Sequence, residues 1–251
     1  IGNSFVSKAA PDGYTILFTP NTFSIAPLVL KPGVGAQYDV LNGFTPILLA
    51  GTSSLFAVAT AQSGVKNMQE LVAAAKGGKI STYASPGSGS PMHILGELFN
   101  KSAGVKINQV PYRGSGPAVN DMLGGHVPFM YTTLGPVAQH VAAGKLVILG
   151  VADARRSPLA PQIPTFAEAG FRDAEVGAWQ GFMGPPGMPA NIVGVLNGHL
   201  NEILKMPDVL QRLNALYLEP RGGDPAEIAK VNAADFNKYG KVIKAAGLTA
   251  E

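Results

Sequence analysis

The stretch that decides the fold is residues 80–101, ISTYASPGSGSPMHILGELFNK. Residues 80–84 are rich in β-branched and aromatic side chains and predict a buried strand, while residues 92–101 have the apolar spacing of a helix. Between them lies a loop of proline, glycine and serine. A strand that leads through such a loop into a helix is the unit from which α/β sheets are built.

Strands and helices alternate on both sides of this stretch. Further strands are predicted at residues 14–19, 44–60 (one or two strands), 105–110, 127–133 and 146–152. This alternation predicts a mostly parallel sheet. The last part of the chain is helical, with helices predicted at residues 192–204, 207–216 and 225–246.

The length of the chain predicts two lobes rather than one. Its 251 residues exceed the size at which a single hydrophobic core usually stops growing. The segment GPPGMP, residues 184–189, separates the alternating part from the helical part and marks a linker or a boundary.

The composition excludes several classes of function. Hydrophobic residues make up 46% and charged residues 14%, and the net charge of +3 comes from scattered cations, so no nucleic-acid partner is expected. The absence of cysteine excludes thiolate metal sites, disulfides and cysteine nucleophiles. No apolar run is long enough for a membrane span. No signal peptide is visible, and Ile1 reads as an artificial beginning within a longer sequence.

The loop before the predicted helix at residue 92 is suited to an anion. A helix N-terminus presents unpaired backbone N–H groups and a partial positive charge. Gly87 and Gly89 allow close approach of the backbone, and Ser88 and Ser90 add hydroxyl donors. The alternative is that Ser90 is an ordinary N-cap in a tight turn.

A second loop of the same design follows the next strand, at residues 110–116. Arg113 in this loop could pair with a carboxylate or remain a solvated surface charge. Thr132 and Thr133 end a further strand, where they could supply hydroxyls or reflect only β-propensity. His93 lies in the first turn of its helix, where a structural hydrogen bond is the commoner role.

Motifs of catalysis are missing. The serine loops do not fit the nucleophile elbow, and there is no Walker A loop, dinucleotide fingerprint or zinc-binding pair of histidines. We therefore expect no catalytic residue, no metal and no cofactor. The alternative from another class is an α/β hydrolytic enzyme that acts on a carboxylate or phosphate ester through a serine or His93.

The chain resembles the tripartite tricarboxylate transporter substrate-binding proteins, also called the Bordetella uptake gene (Bug) or TctC-like family. The matching motifs run in order along nearly the whole chain: KAAPDGYT (8–15), GSGSPMH (87–93), VPYRG (110–114), DMLGGHV (121–127), GKL (144–146), PTFAEAG (164–170), WQGF (179–182), PGMP (186–189) and AGL (246–248).

The resemblance implies a two-lobed type II periplasmic-binding-protein fold of the Venus flytrap kind, with the ligand in a cleft between the lobes. Residues 1–56 and 178–251 would form lobe one, and residues 57–177 lobe two. Members of the family begin with a strand and a glycine-rich loop well before the Asp12-Gly13-Tyr14 motif. That first strand and loop of lobe one are absent from this sequence.

The resemblance also implies which residues bind the ligand. Lobe two would contribute the loop after residue 84 and parts of the next two strand ends: Ser85, Gly87, Ser88, Gly89, Ser90, His93, Tyr112, Gly114 and Thr133. Lobe one would contribute Thr19, Asn21, Thr22 and Phe23. An apolar wall that sorts ligands would consist of Phe23, Met92 and Trp179. For each of these residues, packing or capping without ligand contact is the alternative.

The function implied by the resemblance is that of a periplasmic solute-binding protein. It would act as a monomer, capture a small carboxylate by closure of its lobes and deliver it to the membrane permease of a tripartite transporter. A ligand sensor for a membrane receptor is the alternative. Dicarboxylates, tricarboxylates and aromatic acids all fit, and the aromatic wall favours aromatic or longer acids.

Overall fold

The chain forms two units in the computed structural model, which describes residues 1–30 and 38–246. One unit comprises Ile1–Ser53 and Ala178–Glu251, and the other comprises Ser54–Gly177. The first boundary between the two lobes was predicted after residue 56, whereas the two units of the structure divide after residue 53. Residues 247–248 of the AGL motif lie outside the described residues.

Helices and strands alternate over most of the described chain. The strands are β1 (Leu17–Pro20), β2 (Thr45–Ser53), β3 (Phe56–Thr60), β4 (Thr82–Ser85), β5 (Asn108–Pro111), β6 (Phe129–Thr132), β7 (Leu146–Val151), β8 (Ala178–Gly184) and β9 (Glu219–Pro220). The helices are α1 (Gly2–Val6), α2 (Thr22–Val29), α3 (Met68–Lys76), α4 (Pro91–Ala103), α5 (Ser115–Leu123), α6 (Ala138–Ala142), α7 (Ala190–Ile203), α8 (Pro207–Ala215) and α9 (Pro225–Ala246). Over residues 1–30 and 38–246, no helix combines the length and apolar character needed to cross a membrane.

Each unit contains one sheet. The first unit has the strand order β1-β8-β2-β9, and every pair of neighbours is antiparallel. The second unit has the order β5-β4-β6-β3-β7, in which β4 is parallel to β5 and β6 while β3 is antiparallel to β6 and β7.

The prediction of a mostly parallel sheet is therefore wrong for the first unit and only partly right for the second. In the second sheet the departure comes from β3, and in the first it comes from β8 and from the two-residue strand β9. β3 is the first strand after the passage out of the first unit, and β8 is the first strand after the return. Each runs opposite to both of its neighbours in the sheet.

The predicted strand at residues 14–19 begins later than expected, at Leu17. Asp12 accepts a hydrogen bond from the Tyr14 backbone N–H at 3.0 Å, and Gly13 has a φ of 88°. This turn extends the loop to Tyr14, whose side chain is exposed.

Two clusters are seen in the core of the first unit among its described residues. In one, Phe23 and Trp179 are packed with Ile228 of α9. In the other, Ile47 and Leu48 of β2 are covered by the apolar side chains of α7. Helix α2 packs against α9, and its residue Phe23 belongs to the first cluster.

The core of the second unit is built on aromatic rings in edge-to-face contact. The rings of Tyr83 and Tyr131 lie 5.2 Å apart, and Tyr131 also contacts Phe99 and Phe129. Gly96 of α4 faces Tyr83 so closely that a Cβ at this position would overlap the phenol ring. The close approach holds α4 against β4, and this contact positions the N-terminus of α4 at the end of β4.

The PTFAEAG motif has a structural role in the second unit. The Thr165 backbone N–H donates to the Glu168 carboxylate at 2.7 Å, and the Glu168 backbone N–H donates to the Thr165 hydroxyl at 3.0 Å. This reciprocal pair is a capping box. Arg156 donates to the same carboxylate at 2.9 Å, so the motif stabilises a turn.

Candidate functional site

The glycine–serine loop of the second unit joins β4 to α4. Ser90 is the N-cap of α4, because its hydroxyl accepts a hydrogen bond from the His93 backbone N–H at 3.3 Å. The same hydroxyl donates to the Gly87 carbonyl at 2.7 Å. The N-cap interpretation of Ser90 is confirmed, and its hydroxyl is therefore engaged within the loop.

The two loop glycines have backbone conformations that other residues rarely adopt. Gly87 has a φ of 144° and Gly89 a φ of 76°. Glycine takes such values without the steric cost that a Cβ would bring. The loop can thus turn sharply and present its amides at the start of α4.

His93 holds the loop from the helix side. Its ring Nδ1 accepts a hydrogen bond from the Gly89 backbone N–H at 3.2 Å. Burial lowers the pKa of His93 to about 4, so the imidazole is neutral at pH 7. With Nδ1 acting as the acceptor, the ring proton lies on Nε2.

Gln109 holds the loop from the side of β5 and was not predicted from the sequence. Its Nε2 donates to the Ser85 hydroxyl at 2.6 Å, and its Oε1 accepts from the Ser88 hydroxyl at 3.4 Å. Its role depends on the pairing of β5 with β4, which places Gln109, two residues before the end of its strand, next to the strand that Ser85 ends.

Two backbone amides of the loop are left to bind a ligand. The N–H of Gly87 donates to Ser85, that of Gly89 to His93 and that of Ser90 to the Gly87 carbonyl. In contrast, the N–H groups of Ser88 and Met92 meet no acceptor among the described residues. This pair at the N-terminus of a 13-residue helix can bind an anion.

The second predicted loop is hydrogen-bonded to the first. The Tyr112 backbone N–H donates to the Ser85 carbonyl at 2.9 Å, and the Gly114 N–H donates to the Pro86 carbonyl at 3.1 Å. The Tyr112 hydroxyl donates to Asp121 of α5 at 2.7 Å, and burial and this carboxylate raise the pKa of Tyr112 to about 12. The structure therefore brings the two loops together but engages the Tyr112 hydroxyl elsewhere.

The other predicted groups of this unit lie at or beside the same sheet edge. Thr132 ends β6, which is parallel to β4, so both strands finish at one edge, and half-buried Thr133 comes next in the chain. The Thr132 hydroxyl is buried and has no hydrogen-bond partner among the described residues. Arg113 is exposed, as expected for a solvated charge. Ligand contact by Thr133 stays a prediction.

In the first unit, a strand again leads directly into a helix. Thr19 is buried near the end of β1, Asn21 is the N-cap residue of α2, and Thr22 begins the helix. The backbone N–H groups of Thr22 and Phe23 find no acceptor within residues 1–30 and 38–246. These amides form a second candidate set of donors, within the first unit.

Asp235 of α9 organises this part of the first unit and was also missed by the sequence reasoning. Its Oδ2 accepts from the Trp179 indole at 2.9 Å and from the Asn21 side chain at 3.2 Å. Burial raises the pKa of Asp235. No local signal marks it, because it lies in a helix more than fifty residues from both partners in sequence.

The predicted apolar wall consists of buried side chains. Phe23 is 1% exposed and Trp179 3% exposed, and both belong to the core of the first unit. Met92 is 9% exposed in the first turn of α4. These values favour packing for the two rings, and their contact with a ligand stays a prediction.

The described side chains offer no arrangement typical of catalysis or metal binding. Within residues 1–30 and 38–246 there is no group of three or more histidines and carboxylates that could hold a metal ion. In this part of the chain, no loop serine hydroxyl bonds to the His93 ring. The geometry supports binding of an anion by backbone amides.

An α/β fold with these loops defines a protein of the periplasmic binding class, and solved structures agree. The periplasmic binding protein BugD is 30% identical, with a TM-score of 0.87 over 98% of this chain and 82% of its own. R. palustris Rpa4515 with adipate is 29% identical, with a TM-score of 0.87 and the same two coverages. MatC from Rhodopseudomonas palustris with bound malate is 27% identical, with a TM-score of 0.86 over 96% of this chain and 83% of its own.

The chain belongs to the tripartite tricarboxylate transporter family of receptors (TctC), whose model matches residues 1–248. The UPF0065 protein in the tcbD-tcbE intergenic region of Pseudomonas sp. (strain P51) is 35% identical over 246 residues, which are 97% of this chain and 72% of the relative. Protein BugT of Bordetella pertussis is 32% identical over 250 residues, 98% of this chain and 76% of the relative. The family consists of substrate-binding receptors and not of enzymes.

Proposed function

We propose that this protein is a periplasmic receptor that captures a small dicarboxylate and delivers it to the membrane permease of a tripartite transporter. The observation that carries the proposal is the pair of unpaired backbone N–H groups at Ser88 and Met92. Membership of the receptor family and similarity to periplasmic binding proteins support the transport role and the compartment.

The chemistry of the loop favours a carboxylate over a neutral ligand. Its free donors lie at the positive end of a long helix, where an anion is stabilised. A hydrogen bond to a charged group contributes about 1.5–3 kcal/mol, more than one between neutral partners. No residue from 85 to 93 is charged, since His93 is neutral. The ligand's carboxylate would thus be bound by dipoles without a countercharge.

Aliphatic dicarboxylates are the preferred ligand class. Two similar structures, those of Rpa4515 and MatC, contain adipate and malate, respectively. An aromatic acid would need an accessible aromatic wall, whereas the rings of Phe23 and Trp179 are buried. We therefore place dicarboxylates ahead of aromatic acids and tricarboxylates.

Capture would proceed by closure of the two units on the ligand, as expected for the family. A ligand can shift this equilibrium only by binding the closed state more tightly than the open one. Conversion from mostly open to mostly closed needs a preference of about 10⁴-fold.

The proposal is tested by titrating the protein with malate, adipate, a tricarboxylate and an aromatic acid in a calorimeter. The informative variant is Ser88→Asp, which adds a negative charge beside the free amides. Like charges in the site should weaken dicarboxylate binding by about tenfold or more. A carboxylate near a helix N-terminus is itself favourable, so the melting temperature should be maintained.

Two control variants separate charge from shape and position. In Ser88→Asn the new side chain has nearly the same size as in Ser88→Asp but carries no charge. This variant should bind the dicarboxylate much more tightly than Ser88→Asp. Asn67→Asp adds the same charge at the N-cap of α3 in the same unit, away from the loop, and should bind normally. If Ser88→Asp binds as tightly as the wild-type protein, or if no acid in the panel binds, the proposal is wrong.

A further inference from the structure

Gln109 lies on the edge strand of the second sheet, directly beside the strand that leads into the binding loop. It pairs with Tyr83 in the parallel register of β5 and β4. Side chains two residues apart on a strand share a face, so Ser85 lies on the same face as Tyr83. The Tyr83 ring on this face contacts Gly96 of α4. The Gln109 side chain thus belongs to the face that α4 covers.

The amide of Gln109 bonds to both serines that flank the start of the loop. Its Nε2 donates to the Ser85 hydroxyl at 2.6 Å, and its Oε1 accepts from the Ser88 hydroxyl at 3.4 Å. The Ser85 hydroxyl in turn accepts from the Gly87 N–H at 3.3 Å. One side chain therefore connects the end of β4, the first glycine and the serine whose backbone amide is free.

This network decides which donors remain for a ligand. The Ser88 hydroxyl is directed to Gln109, the Ser90 hydroxyl to the Gly87 carbonyl, and the Gly89 amide to His93. Among the backbone amides of the loop and the first turn of α4, those of Ser88 and Met92 meet no acceptor within the described residues. Without Gln109, the Ser88 hydroxyl would be free to rotate and the first half of the loop would lose its lateral support.

We propose that Gln109 is a positioning residue that holds the glycine–serine loop in its anion-binding conformation without touching the ligand. The inference rests on the proposed function of the loop. Gln109 lies on a neighbouring strand, and among the described residues its side-chain amide makes hydrogen bonds only to Ser85 and Ser88. The positioning role predicts that the amide group matters for binding more than for folding.

The test replaces Gln109 with methionine, which keeps the length of the side chain and removes its hydrogen bonds. Affinity for malate or adipate, measured by calorimetry, should fall by about tenfold, while the melting temperature changes little. Hydrogen exchange of the amides of residues 86–92, measured by mass spectrometry without ligand, should become faster. Asn108→Met on the same strand is the matched control, since Asn108 is exposed and its side chain points to the other face. Asn108→Met should change neither the affinity for the acid nor the hydrogen exchange of the loop.

Gln109→Glu provides a second variant with a distinct signature. At neutral pH its carboxylate cannot donate to Ser85 and adds a negative charge, so binding should be weaker than in Gln109→Met. Protonation of Glu at lower pH restores a donor, and affinity relative to wild type should partly recover, whereas Gln109→Met shows no such recovery. This variant keeps the size of Gln109 and tests the proposal if Gln109→Met does not fold.

The outcomes distinguish this inference from the proposed function. Faster loop exchange in Gln109→Met, together with a wild-type protein that binds no acid, supports the positioning role and rejects the carboxylate-binding function. Unchanged loop exchange and affinities within about twofold of wild type, for both Gln109 variants, overturn the positioning role.

Discussion

The buried, neutral state of His93 predicts a loss of stability in mild acid. Burial lowers the folded-state pKa from 6.5 to about 4, so the unfolded chain binds more protons between these two values. Stability from this group is therefore fully present above about pH 6.5 and is lost as the pH falls toward 4. Between pH 7 and pH 5 the loss from His93 alone is about 2 kcal/mol.

The variant His93→Asn isolates this contribution. Asparagine can keep an acceptor at the position of Nδ1 for the Gly89 N–H, and it does not titrate. The partly buried carboxyl groups of Glu97 and Asp235, whose pKa values are raised by burial, remain in both proteins. Their effect on the pH dependence cancels in the difference between wild type and variant.

The assay is urea unfolding at pH 7 and pH 5, followed by far-ultraviolet circular dichroism. Fluorescence of the single tryptophan is less suitable, because Trp179 lies in the first unit and His93 in the second. Between pH 7 and pH 5, the free energy of unfolding should fall by about 2 kcal/mol more in the wild-type protein than in His93→Asn. His126→Asn removes an exposed histidine and is the control. A difference between wild type and His93→Asn that does not depend on pH would refute the neutral, buried state of His93.

Two further predictions concern stability. Gly96→Ala should cost about 1–3 kcal/mol of unfolding free energy, because a Cβ overlaps the Tyr83 ring, whereas Gly194→Ala in α7 meets open space and should stabilise by up to about 1 kcal/mol. Denaturant unfolding checks both, and equal effects of the two changes would contradict the close approach of α4. Asp235→Ala should cost about 1–3 kcal/mol, because the Trp179 indole and the Asn21 amide lose their shared acceptor. The tryptophan emission should shift at the same time, and an unchanged spectrum with unchanged stability would argue against the Asp235 contact.

Local patterns in the sequence predicted most of the strands and helices of the fold, and they indicated the kind of ligand that the loop would bind. Residues 80–101 read correctly as strand, loop and helix, since β-propensity, glycine, proline and helical spacing act over a few residues. The prediction that the loop binds an anion rests on the same local features. The ordered motifs also indicated the receptor family to which the chain belongs.

Several features depended on the direction and pairing of strands distant in sequence. Periodicity does not report strand direction. The prediction of mostly parallel strands was therefore wrong for the first unit, where every pair of neighbouring strands is antiparallel. The resemblance implies ligand contact for Phe23 and Trp179, which stays a prediction, and the tertiary structure shows that both are buried in one cluster with Ile228 of α9.

The roles of the loop serines show the same division between sequence and tertiary structure. The sequence marks Ser88 and Ser90 as hydroxyl donors, and the structure directs the Ser88 hydroxyl to Gln109 of β5 and the Ser90 hydroxyl to the Gly87 carbonyl. Gln109 contributes because β5 pairs with β4, and this pairing joins residues more than twenty positions apart. Sequence alone determined that the loop suits an anion, because helix ends and glycine act locally. Only the tertiary structure decided which donors remain free, because hydrogen-bond partners from other strands and helices occupy the rest.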